Sequence, residues 1–254
     1  MNAGVLIVIA IVLIIFSYCC TSMYQKELYQ SLYPHKILIV IITSSKTIHR
    51  WSLEKKIWKK YFRVGKKYNI DCVFTECEEE FTYKAVCSES YVPGIYQKTL
   101  QTMKAYDNYD YYIRTNLSTF FNFEYLCEFL QKYFTLDYPL YGGHCFSWGV
   151  SGTGIVMNQK ARDILIQYGF QDEYYKDLKT PDDVLISSIL NKKKVKKICP
   201  PYLYVWCKKF THSINYKMYK HFRYPAIRLR LDHQTLRYKS ITSFLLREIY
   251  GIVQ

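Results

Sequence analysis

The chain begins with an uncharged apolar run, AGVLIVIAIVLIIFSYCC, from Ala3 to Cys20. At about 1.5 Å of rise per residue, a helix of this length just crosses a hydrocarbon core of roughly 30 Å. The run is long for the core of a cleavable signal, no basic residue precedes it, and no Ala-x-Ala-like site follows. The expected element is a transmembrane anchor over residues 3–20, followed by a short polar, Tyr-rich stem over 21–36. KILIVIITSS comes next. An unbroken β-branched run of this kind is the pattern of a strand buried on both faces of a parallel sheet. A helix is predicted from about Thr47 to Lys67, with Ile48, Trp51, Ile57, Trp58 and Phe62 facing inward. The strand DCVFTE, an acidic patch at Glu76–Glu80, a helix from about Gly94 to Tyr106, and the aromatic strand YDYYIRTN follow. Strands and helices alternating at this spacing predict an α/β domain over residues 37–254 with a mainly parallel central sheet. Sheets of that type bind ligands at the carboxyl ends of their strands. The polar residues to inspect are therefore Thr43 to Ser45, Thr115 to Ser118, and Asp182 with Asp183.

Composition narrows the possibilities. Half of the 254 residues are hydrophobic, Tyr reaches 27, and Gly (10) and Pro (7) are scarce. A sizeable core is available, and collagen-like, linker-like and low-complexity architectures are excluded. The net charge of +14 suits phosphorylated small molecules, anionic lipid or nucleic acid as partners. Its densest group, Lys192, Lys193, Lys194, Lys196 and Lys197, reads as a solvated face. No nucleic-acid-binding signature accompanies it, so no nucleic-acid partner is expected. Among the nine cysteines there is no Cys-x-x-Cys pair, which leaves a zinc site unsupported. In a lumenal domain some of them are expected to pair as disulfides. The charges flanking the apolar run barely differ and do not fix its orientation.

Four segments, in order, resemble the Fringe and β1,3-glycosyltransferase family, type II membrane enzymes with a GT-A fold. After KILIVIITSS, Arg50, Lys55 and Trp58 stand at the spacing of the family's Arg-Arg-x-x-Ile-Arg-x-Thr-Trp helix, with Trp51 in place of the second Arg. Glu89-Ser90-Tyr91 and Lys98-Thr99-Leu100 are similar to the Asp-x-Tyr-x-Asn-Leu-Thr-Leu-Lys-Thr segment. Ser151-Gly152-Thr153-Gly154-Ile155-Val156-Met157 is similar to the Ser-Gly-x-Gly-Tyr-x-Leu-Ser strand, and Pro181-Asp182-Asp183-Val184 to the late acidic motif. The resemblance covers roughly residues 37 to 215. It implies a GT-A-like nucleotide-sugar-binding fold, a UDP-sugar donor, a glycan or glycoprotein acceptor, and a lumenal catalytic domain in the Golgi or endoplasmic reticulum.

It also implies roles for particular residues. In an inverting transfer one carboxylate takes the proton of the attacking hydroxyl, and Asp183 is the first candidate with Asp182 second. Thr43, Ser44, Arg50, Arg114, Asn116 and Ser118 fall on the donor side. Gly152, Thr153, Gly154 and Trp148 fall on the acceptor side, and His212 resembles the late metal-site histidine. A plainer alternative for 180–183 is a helix start, with Thr180 as N-cap and two acids on the favourable end of the dipole. The family holds Mn²⁺ or Mg²⁺ on an Asp-x-Asp cluster, yet Asn116-Leu117-Ser118 occupies those positions. Hard cations prefer carboxylates, which argues against a metal site of ordinary strength. Without that metal, the diphosphate charge falls to Arg114 or to basic residues nearer the C-terminus. Two other functions compete with an active transferase: a degenerate family member that binds glycans or a partner, and a membrane-tethered binder of anionic surfaces.

Overall fold

The computed structural model describes residues 3–44, 51–76, 83–84, 87, 89–207, 211–230 and 244. Helix α1 (Ala3–Leu32) joins the expected anchor and most of the expected stem into one element. Its apolar side chains from Ile7 to Phe16 are exposed. Among the described residues no helix is long and apolar enough to cross a membrane, so the fold does not establish the anchor.

The body alternates as the sequence predicts: β1 (Ile37–Ile42), α2 (Ser52–Gly65), β2 (Ile70–Glu76), β3 (Tyr83–Lys84), α3 (Gly94–Ala105), β4 (Tyr111–Asn116). Then come β5 (Thr119–Phe121), α4 (Phe123–Tyr133), β6 (Leu140–Cys145), β7 (Val150–Asn158), α5 (Gln159–Gly169), α6 (Asp172–Tyr175) and α7 (Asp182–Lys192). The described chain closes with β8 (Lys196–Ile198), β9 (Leu203–Cys207), α8 (His212–Phe222) and β10 (Ala226–Arg230). The helix expected from Thr47 starts at Ser52; Ile48 lies outside the described residues.

Among the described residues, seven strands form a sheet in the order β3-β2-β1-β4-β7-β6-β8. Only β7 runs against its neighbours β4 and β6; the other pairings are parallel. Every residue of β1 is buried, because both faces of the sheet are covered. Ile37, Ile39 and Ile41 face a core built with Trp58, Tyr61, Phe121 and Leu126, from α2, β5 and α4. Leu38, Val40 and Ile42 face another built with Leu100, Leu165 and Ile186, from α3, α5 and α7. A period of two along the strand thus serves two apolar layers.

A second sheet, β5-β10-β9, packs beside the first. Its central strand β10 places Arg228 and Arg230 between β5 and β9. The Cys145 and Cys199 sulfurs form a disulfide between the end of β6 and the residue after β8, and Cys87 is also disulfide-bonded.

Candidate functional site

From β1 the chain builds β2 and β3 on one side, then crosses to place β4 on the other. In an open sheet the crevice at such a reversal, outside the carboxyl ends of the strands, is where ligands bind. A cavity of about 600 Å³ lies there, bordered by Thr43 after β1, Arg114 and Asn116 at the end of β4, and Gly152 in β7. Its size is in the range of small-molecule sites.

Strand register explains how separate segments meet. Val40 pairs with Arg114 and Ile42 with Asn116 in the parallel ladder, while Thr115 pairs with Gly154 in the antiparallel one. The start of β7 therefore lies against the tip of β4. The N-terminus of α7 supplies the acids: Pro181 is the cap residue, without a side-chain cap bond, and Asp182 and Asp183 form the first turn. Thr180 does not cap this helix. Its own N–H, with that of Lys179, is instead bound by Asp177 Oδ1, so the loop satisfies itself and leaves the helix end to its acids.

The backbone of one residue organises the centre. The Gly152 carbonyl accepts a hydrogen bond from Nη1 of Arg114, and the Gly152 N–H donates to Oδ2 of Asp183 at 2.9 Å. A Cβ on residue 152 would collide with the guanidinium and crowd the Asp183 carboxylate. Glycine is what allows both groups to reach the backbone here. Asp183 Oδ1 also accepts the N–H of Val184 at 3.0 Å, which fixes the carboxylate while leaving lone pairs free on both oxygens.

Asp182 behaves differently. It is 5 % exposed, and its Oδ2 lies 2.6 Å from Nη2 of Arg114. That oxygen makes no aligned hydrogen bond, nor does Nε of Arg114, so the contact is one of charge rather than of donor and acceptor. Burial pushes the Asp182 carboxyl above the usual carboxylate range, and the neighbouring Asp183 adds to the rise, against the pull of Arg114. Of the two acids, Asp183 is the better oriented and the more accessible.

The opposite wall joins Thr43 and Ser44, expected on the donor side, to Glu89 and Lys98, for which no site role was assigned from sequence. Lys98 Nζ donates to the Thr43 carbonyl at 2.7 Å and to Glu89 Oε1 at 3.0 Å. The Ser44 hydroxyl donates to Glu89 Oε2 at 2.5 Å. Glu89, Lys98 and, from β10, Arg228 all border the cavity. A lysine on the inward face of α3, beside Thr99 and Thr102, was the available signal for the first two.

Of the residues singled out from sequence, Thr43, Ser44, Arg114, Asn116, Ser118, Gly152, Thr153, Asp182 and Asp183 border the cavity. Gly154 does not; it lies against the Tyr202 ring. Trp148 sits apart on the turn between β6 and β7, 44 % exposed and stacked on Phe146 at 5.3 Å. Tyr141 is buried and bonded to Asn191. Arg50 lies outside the described residues. His212 is the first residue of α8, and its side chain too lies outside them.

The positions expected to bind a metal do not suit one. Asn116 Oδ1 accepts from the Ser118 N–H (3.2 Å), the Ser118 hydroxyl (2.8 Å) and the Thr119 hydroxyl (3.2 Å). Its lone pairs are committed to the turn between β4 and β5. Leu117 is buried and has no ligand atom on its side chain. Among the described residues no group of three or more His, Cys, Asp or Glu is placed to hold a metal ion.

No protein-family model matches the chain, and no curated protein sequence matches it. Solved structures similar to it include a glycosyltransferase involved in glycosylation of the major capsid of PBCV-1, at 10 % identity over 82 % of this chain and 99 % of that one, TM-score 0.48. Mouse xyloside xylosyltransferase 1 matches at 10 % identity over 79 % and 99 %, TM-score 0.45. The galactosyltransferase LgtC, in complex with donor and acceptor sugar analogues, matches at 10 % over 85 % and 97 %, TM-score 0.43. At identities near a tenth and TM-scores below 0.5, these likenesses carry no argument about chemistry. None is described as a Fringe or β1,3-glycosyltransferase.

Proposed function

We propose that this chain is a glycosyltransferase, moving a sugar from a nucleotide-sugar donor, in the first instance a UDP-sugar, to a hydroxyl of a glycan or glycoprotein. The observation that carries the reading is the convergence of the Asp183 carboxylate and the Arg114 guanidinium on Gly152, at the wall of the cavity where the sheet reverses direction. Glycosyl transfer needs a base for the acceptor hydroxyl and positive charge for the departing diphosphate. Both kinds of group bond the backbone of one residue, Gly152. Two of the four segments resembling Fringe enzymes, the Ser-Gly-x-Gly strand and the late acidic motif, supply this wall, and the first strand and the Glu89–Lys98 segment border the cavity opposite it.

In this reading Asp183 takes the acceptor proton as the acceptor oxygen attacks the anomeric carbon. The bond from that carbon to the diphosphate oxygen breaks, its electron pair leaves with the nucleotide, and configuration inverts. Replacing Asp183 with Asn keeps the shape and removes the base. Turnover by the full chain in detergent, assayed over a panel of nucleotide sugars, is expected to fall by about 10²–10⁴-fold in this variant. Full activity of Asp183→Asn removes Asp183 from its role.

The proposal extends to a type II anchor at residues 3–20 and a domain in the lumen of the Golgi or endoplasmic reticulum. The uncharged run supports the first. The Cys145–Cys199 disulfide supports the second, since disulfides persist in oxidising compartments. Protection of the domain from added protease in sealed microsomes tests both.

A second reading, a glycan- or partner-binding module without catalysis, is favoured by the commitment of Asn116 Oδ1 to its own turn. Nucleotide affinity separates the two: a pure glycan binder has none.

A further inference from the structure

We infer that the cavity binds the diphosphate of a nucleotide without a divalent cation, Arg114 supplying the positive charge. This rests on the donor-binding reading above and narrows it.

The acidic groups at hand are all engaged. Asp182 lies against Arg114, Asp183 accepts two backbone N–H groups, and Glu89 is bound by Lys98 and Ser44. Asn116 spends its oxygen on three neighbouring donors. A hard cation collects several oxygens, carboxylates above all; of the three carboxylates bordering the cavity, Asp182 is held against the Arg114 charge and Glu89 by Lys98 and Ser44, which leaves Asp183 alone with lone pairs to offer. The cationic groups bordering the cavity among the described residues, Lys98, Arg114 and Arg228, balance the three carboxylates. The wall is thus close to neutral instead of carrying the surplus negative charge that attracts a dication.

Arg114 is the cation best placed to change partners. It is 4 % exposed, its Nε–H has no hydrogen-bond acceptor, and its contact with Asp182 is off the N–H direction. A guanidinium offers five N–H donors in a planar fork that matches phosphate oxygens. An arriving phosphate supplies the aligned acceptor that Asp182 does not. Lys98, by contrast, is spent on Thr43 and Glu89.

The test is calorimetric titration of UDP into the full chain in detergent, once with EDTA and once with Mn²⁺. The same affinity is expected in both. Asp182→Asn, which relieves Arg114 of its counterion, should bind UDP as well as the parent or more tightly. The double variant Arg114→Met with Asp182→Leu strands no buried charge, and circular dichroism confirms that it folds. It should lose at least about tenfold in UDP affinity, the scale of one hydrogen bond to a charged group. Tightening by Mn²⁺ of about tenfold or more, the charge-assisted contribution a metal would make, overturns the inference. So does parental affinity in the double variant. Failure of UDP and every other nucleoside diphosphate to bind in either condition overturns the donor-binding reading itself, and this inference with it.

Discussion

Lys98 and Glu89 form an ion pair, 3.0 Å between Nζ and Oε1, whose side chains are only 1 % and 7 % exposed. Removing one member of such a pair leaves a charge in a medium that solvates it poorly, at a cost of about 3–5 kcal/mol. Lys98→Met is therefore expected to lower unfolding stability by about that much, read from the urea midpoint. Lys98→Met combined with Glu89→Leu should be milder than the sum of the single changes. Additive losses would show that the pair is not coupled. Because Ser44 also depends on Glu89, donor affinity should fall in the single variants.

Gly152→Ala places a methyl group where Arg114 and Asp183 now reach the backbone. Overpacking of this kind costs about 1–3 kcal/mol, so the fold survives. Displacing two reacting-site groups by even an ångström is expected to cut kcat/KM by about 10²-fold. Unaltered turnover in a folded Gly152→Ala variant would contradict the arrangement around this residue.

The raised pKa of Asp182 has a definite sign for stability. Between the unfolded value, about 3.9, and the higher folded value, the native state holds more protons than the unfolded one. Stability contributed by this residue is therefore greatest at low pH and declines as pH rises through that window. The stability difference between the parent and Asp182→Asn should shift against the parent as pH rises from about 4. Chemical denaturation across a pH series measures it, and a parent gaining on the variant over the same range reverses the sign.

Reduction of Cys145–Cys199, which closes a loop of sequence separation 54, is expected to destabilise the fold by about 2–4 kcal/mol. The Cys145→Ser, Cys199→Ser double variant should show a lowered melting temperature that dithiothreitol lowers no further at this bridge. An unchanged melting temperature would mean that the strand ends are held by packing alone.

The parts of the molecule legible beforehand are those with local signals. KILIVIITSS has the pattern of a strand covered on both sides, YDYYIRTN carried enough β-branched and aromatic character to be placed, and the Ser-Gly-Thr-Gly strand was placed through the family resemblance. The pair Asp182-Asp183 was visible as acids opening a helix, although proline rather than threonine occupies the cap. What stayed hidden depends on contacts between distant segments. Lys98 on the inward face of α3 signals a buried partner, yet nothing near Glu89 identifies it as that partner. Nothing in Arg228 announces that β10 will pair with β5, more than a hundred residues earlier. The aromatic residues were hard to sort for the opposite reason: with 27 Tyr, exposure and burial could not be separated by type, and Tyr141 lies in the core.

That last pairing sets a timetable for synthesis. Thr119–Phe121 and Leu203–Cys207 share no ladder with each other until Ala226–Arg230 arrives between them. A nascent chain therefore lacks the β10 partner of β5 from residue 121 onward, and that of β9 from residue 207, until Ala226–Arg230 emerge. Arg228 reaches the crevice in the same step. A chain cut before residue 226 lacks the strand that joins β5 to β9.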